Sequence, residues 1–212
     1  MALDCFGGIS RHFRRRRMQR FASEFAITAA TRILDIGGTP DCWALLEERP
    51  IVTLLNTPRA RSDLAGAAHW VAGDGRCLPF RDGAFDVVFS NSVIEHVGDR
   101  QSQQRFAGEV ARVGRGFWVQ TPNRWFPVEQ HLFTPFIHWL PKGWQRSLVP
   151  WCVWRWVVPV TPDRRRFYLE HYLTDVRLLA PSELRALFPG ARMIRERLCG
   201  LTKSLVAIKP GT

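Results

Sequence analysis

The chain has 212 residues, 46% hydrophobic and 23% charged, which fits one compact domain over 1–212 and excludes the disordered and collagen-like classes. A formal net charge of +11 with a pI of about 10.6 admits nucleic acid or an anionic lipid surface as a partner. All but Lys142, Lys203 and Lys209 of the 30 basic residues are arginine, however, a skew that coding bias produces without selection for phosphate binding.

The five cysteines, Cys5, Cys42, Cys77, Cys152 and Cys199, are odd in number and contain no C-x-x-C pair, so neither a disulfide framework nor a metal site is expected. A reducing, cytoplasmic setting follows. Met1 to Ser10 lacks the layout of a secretory signal, and no window reaches the roughly 18 apolar residues of a membrane span.

In chain order, Ile9 to Ala30 reads as an amphipathic helix with Phe13, Phe21 and Phe25 on its apolar side. Strands are predicted over Arg32 to Ile36, Ile51 to Leu55, His69 to Ala72, Phe85 to Ser90 and Arg115 to Gln120. Helices begin near Asp41 and near Asp99, the latter closed by Gly114, and a turn-rich piece covers Thr57 to Leu64. This alternation predicts a mostly parallel sheet with helices on both faces. At the far end a helix over Pro181 to Phe188 precedes strands at Arg192 to Leu198 and Ser204 to Ile208. The link Cys199 to Lys203 is too short for a crossover, so these two form a hairpin and one strand is reversed.

Between these parts, Trp125 to Pro162 breaks the rhythm with six tryptophans and frequent proline. It reads as an inserted aromatic-rich cap, with a short helix entered at Thr134-Pro135 and a second apolar stretch from Leu148 to Val158. The tryptophans either pack that cap, line a substrate cleft or rest on a membrane.

Three strand ends carry the chemistry. Asp35, Gly37 and Gly38 close the first strand, where glycine lets main-chain amides approach a ligand. Asn56 closes the second, nineteen residues after Gly37, where nucleotide sites place a side chain on ribose hydroxyls. Asp74, in Gly73-Asp74-Gly75 after the third, can accept a hydrogen bond from an exocyclic amine such as that of adenine. Taken together, the string from Ile33 to Val97 (ILDIGG, VTLLN, GDGRCLPFRDGAFDVVFSNSVIEHV) resembles class I S-adenosylmethionine-dependent methyltransferases of the small-molecule type.

The resemblance implies a Rossmann-like, seven-stranded α/β sheet with one antiparallel strand. It implies S-adenosyl-L-methionine as cofactor, with Asp35, Gly37 and Gly38 around the methionine part, Asn56 on the ribose, and Asp74 with Gly75 at the adenine. Ser90 and Asn91 would border the sulfonium and the acceptor. Thr39 stands where a second spaced glycine is usual, and Asn56 where an acid is usual.

Methyl transfer from a sulfonium needs alignment and exclusion of water, and a base only for a weakly acidic hydroxyl. Glu95-His96 and Glu129 with His131 follow the fourth and fifth strands, and His96 or His131 is the expected proton acceptor. The cap, with arginines at Arg14 to Arg17 and Arg164 to Arg166, suits a small-molecule or lipid-linked acceptor met at an anionic inner-membrane surface. An RNA-modifying enzyme and a catalytically silent scaffold are the alternatives.

Overall fold

The computed structural model describes residues 2–58, 69–152 and 172–211. Its strands are β1 (Arg32–Ile36), β2 (Ile51–Asn56), β3 (Trp70–Ala72), β4 (Phe85–Asn91), β5 (Gly114–Pro122), β6 (Val128–Glu129), β7 (Thr134–Pro135), β8 (Arg192–Leu198) and β9 (Leu201–Lys209). Helices are α1 (Ala2–Phe25), α2 (Pro40–Trp43), α3 (Arg100–Val113), α4 (Lys142–Leu148) and α5 (Pro181–Leu187).

Seven strands make one sheet in the order β3-β2-β1-β4-β5-β9-β8. The first five run parallel, and β9 runs against both β5 and β8. The reversed strand is therefore the last one. Its hairpin is tighter than the expected five-residue link, because Cys199 and Gly200 both adopt positive φ (50° and 78°), the backbone a two-residue I′ turn requires.

Side chains alternate across the sheet as a pleated strand dictates. Ile33, Val87, Phe89 and Trp118 point to one face, where Met18 and Phe21 of α1 and Trp43 of α2 cover them. Leu34, Ile36, Val88 and Val119 point to the other, against Phe106 and Val110 of α3 and Leu184 of α5. Helices thus lie on both faces.

Two helices differ from expectation. α1 stops at Phe25 instead of Ala30, because Ala26 turns left-handed (φ 45°) and the Thr31 hydroxyl accepts from the Thr28 amide, closing a turn in place of another helical one. α2 is a single turn whose N-cap, Thr39, makes no side-chain capping bond.

In the cap region, Thr134–Pro135 does not start a helix. Phe136 takes a left-handed conformation (φ 59°), so these residues form β7, paired antiparallel with β6, and a 3-10 turn over Ile137–Trp139 follows. Leu132, Ile137, Val149, Cys152, Tyr172 and Val176 form a separate small core. The described tryptophans of this region are not part of that core: Trp125, Trp139, Trp144 and Trp151 are exposed. Most of the turn-rich piece, most of the apolar stretch Leu148 to Val158 and the cluster Arg164 to Arg166 lie outside the described residues.

Candidate active site

The strand order reverses direction between β1 and β4. In an open α/β sheet the crevice beyond the strand ends at such a point is where ligands bind. A cavity of about 440 Å³ lies there, and Gly37, Asn56, Asp74, Gly75, Arg76 and His96 are among its lining residues.

β1 delivers Asp35 with its side chain turned to the α1/α2 face, where it is fully buried. Trp43 donates its indole N–H to Oδ2 at 2.8 Å, and Oδ1 has no partner among the described residues. Burial drives the carboxyl up to about 7, against the opposing pull of the Trp43 bond. Asp35 therefore sits under the glycine loop, not in the cavity. A Cβ on Gly38 would fall 1.7 Å from Asp35 Oδ2, so only glycine lets the loop cross the carboxylate. Gly37, with φ of +76°, faces the cavity.

Asn56, at the end of β2, donates from Nδ2 to the Gly38 carbonyl at 2.9 Å, so it braces the same loop while lining the cavity. A carboxylate could not make that bond, having no donor. Asp74 is held in a local turn: Oδ1 accepts from the Arg76 amide at 2.9 Å, and the Arg76 guanidinium reaches Oδ2 at 2.6 Å. The guanidinium holds the Asp74 carboxyl below its ordinary range. Arg76 and Asp175 complete this wall, and neither was expected at the site. Only the arginine two residues after the acid carried a signal for it.

Ser90 and Asn91 end β4 but do not line the cavity. Ser90 is fully buried with its hydroxyl unpartnered among the described residues. The Asn91 carbonyl oxygen accepts from Arg17 of α1, whose guanidinium also clasps Glu196 of β8 at 2.8 Å and 2.5 Å. Packing of α1 over the sheet draws Asn91 to that clasp.

Beside the cavity the two expected histidines meet. The 3-10 turn Ile94–His96 follows β4, its carbonyls held by Gln103 of α3 (Nε2 to Ile94 O, 3.1 Å) and by the Arg177 amide (to Glu95 O, 2.8 Å). His131 follows β6, and its Nε2 lies 3.1 Å from Nε2 of His96. Glu129, fully shielded, bonds His131 Nδ1 through Oε1 and the Leu132 amide through Oε2, both at 2.6 Å. Burial pulls His131 down, but the Glu129 bond and the charges of Glu129 and Glu95 outweigh it and raise the imidazole above its usual value. Glu95 is completely buried, and that burial lifts its carboxyl to about 7 although Thr121 donates to Oε2 at 2.9 Å.

Residues 52–116, from β2 into β5, match the family model described as a methyltransferase domain. The matched stretch, about a third of the chain, is similar to methyltransferase domains, and the seven-stranded sheet with one reversed strand is the fold that this resemblance implies. Among curated relatives, an uncharacterized methyltransferase of Mycobacterium sp. (strain KMS) is 37% identical over 89 residues, 39% of this chain and 34% of that protein. The matched stretch thus spans about a third of the relative's length. Among solved structures, a candidate Zn-dependent alcohol dehydrogenase from Rhodobacter sphaeroides aligns with TM-score 0.62 at 14% identity, covering 91% of this chain and 88% of the other. A candidate O-methyltransferase from Nostoc punctiforme aligns with TM-score 0.55 at 13% identity, covering 98% and 58%. The candidate methyltransferase bound to the Trm112 activator of Haloferax volcanii aligns with TM-score 0.56 at 15% identity, covering 97% and 91%. At such identities these likenesses speak for the shared fold.

Proposed function

We propose that the protein transfers a methyl group from S-adenosyl-L-methionine, by in-line displacement, to a small-molecule or lipid-linked acceptor. The observation that carries this reading is the convergence of Gly37, Asn56, Asp74 and His96 on one cavity of about 440 Å³, within the size range of small-molecule sites. The residues present suit an adenosyl compound. Asp74 offers carboxylate oxygens to an exocyclic amine, Asn56 a carbonyl oxygen to a ribose hydroxyl, and the Gly37–Gly38 turn brings backbone close to the methionine end. When bound, the cofactor supplies a methyl group already activated by positive sulfur.

What remains for the chain is alignment and acceptor activation. Asn56 fixes the glycine loop through Gly38, and Asp35 with Trp43 supports it from beneath. His96, on the cavity wall, and His131 behind it are the groups that activate the acceptor's nucleophile. Isothermal titration with S-adenosyl-L-methionine and its demethylated product tests the cofactor. One-to-one binding is expected, with Asp74→Ala weakening it about tenfold or more, the size of one charge-assisted hydrogen bond. Absence of binding heat for both compounds would reject this reading and leave a catalytically silent scaffold.

The exposed aromatic surface favours an amphipathic acceptor over RNA. Trp144 and Trp151 are 68% and 78% exposed, and Trp125 is 57% exposed, with Arg124, Lys142 and Arg146 in the same segment. No helix of the described residues is long and apolar enough to cross a membrane. Exposed indoles among cations suit the interface of an anionic bilayer. Sedimentation with vesicles containing phosphatidylglycerol should retain the protein at low salt, and Trp144→Ser with Trp151→Ser should release it. Equal retention by the double variant would remove the lipid from the proposal.

A further inference from the structure

Glu95, His96 and His131 each present one donor atom, and the three atoms lie within 4.8 Å of one another. Glu129 holds His131 Nδ1 at 2.6 Å. A carboxylate only accepts, so in the neutral ring the proton is on Nδ1 and Nε2 offers its lone pair toward His96. Two imidazole nitrogens 3.1 Å apart need a proton or a cation between them. Two nitrogens bound tetrahedrally to one zinc, each at about 2.0–2.1 Å, are separated by roughly 3.3 Å, close to what is found.

The independent observation is Glu95. It is completely buried, Thr121 satisfies Oε2, and Oε1 has no hydrogen-bond partner among the described residues. A buried carboxylate oxygen without a donor is costly, and a cation supplies the missing partner. We propose that Glu95, His96 and His131 bind a divalent transition cation of the zinc type, at the cavity wall that His96 lines.

Two imidazoles and one carboxylate match the ligand preference of zinc and its neighbours, whereas calcium and magnesium prefer all-oxygen sets. Supporting contacts are already in place. Glu129 orients His131, Thr121 orients Glu95, and Gln103 with Arg177 fixes the turn that carries Glu95 and His96. Three protein ligands leave one position for an oxygen, and a hydroxyl placed there becomes more acidic. The catalytic consequence rests on the methyltransferase reading and specifies it: His96 and His131 activate the acceptor through the cation, and the acceptor nucleophile is an oxygen. Binding of the cation does not depend on that reading.

The test is titration of chelator-treated full-length protein with zinc chloride, and with cobalt(II) chloride followed by visible absorption. One equivalent should bind, with the intense cobalt bands of a low-coordinate N/O site. His96→Ala, at an exposed position that folding tolerates, and Glu95→Gln should each abolish stoichiometric binding. Glu129→Gln, which leaves all three ligands in place, should weaken it about 10- to 100-fold. No stoichiometric zinc, equal affinity in His96→Ala, or a cobalt–thiolate band from exposed Cys77 or Cys199 would overturn the proposal. Titrating the same samples with S-adenosyl-L-methionine keeps a failure of the cofactor reading distinguishable from a failure of the metal site.

Discussion

Asp35 shows how a single carboxyl links the loop to the sheet. Its folded value near 7 lies above the 3.8 expected for an unfolded aspartate, so between those values the native state holds a proton that the unfolded state has released. Stability conferred by that proton is present at acidic pH and falls as pH rises toward and through 7, by about 4 kcal/mol at most. Asp35→Asn keeps an oxygen for the Trp43 indole and cannot ionise. Urea unfolding at pH 5 and pH 8 should therefore show the parent losing stability relative to the variant, and parallel curves would refute the argument. The spacing of Asp35, Gly37, Asn56 and Asp74 was legible in the sequence because each closes a strand, and parallel strands bring such ends together. Asp175 was not, since its approach depends on chain returning from far away. Nor was the diversion of Asn91 to Arg17, which is set by how α1 packs.

At the scale of elements, α3 is the best specified. Asp99 caps it by accepting from the Ser102 amide at 2.8 Å, and Gly114, immediately after its last residue, already begins β5. Asp99→Ala should destabilise the fold modestly through the missing N-cap, read as a lower urea midpoint with unchanged slope. The strands were readable from β-branched runs with alternating burial. The segment after Trp125 was not, and the reason is local. Thr134-Pro135 has the composition of a helix start, but the left-handed backbone at Phe133 and Phe136 bends the chain into a two-residue pair with β6. Nothing about a phenylalanine announces positive φ, which bulky side chains seldom adopt.

For the whole molecule, the decisive arrangement is that β9, latest of the strands in sequence, lies inside the sheet between β5 and β8. Val206, Ala207 and Ile208 are completely buried there. A chain stopped at Gly200 should lose cooperative thermal unfolding and aggregate, because β5 would be left as a long apolar open edge. A soluble, cooperatively melting fragment would show that the first five strands fold alone. The hairpin and its reversed member were legible from the short connection, whereas the depth to which β9 is inserted is a property of the assembled sheet.

The uneven placement of the indoles also determines what light reports about this protein. Trp43 and Trp118 sit in the sheet's apolar layer, while Trp125, Trp139, Trp144 and Trp151 face solvent. Emission from these six indoles is consequently a mixture of a blue component from the interior and a red one from the aromatic segment. Selective quenching by iodide should silence the second and leave the first as a clean optical probe of sheet unfolding.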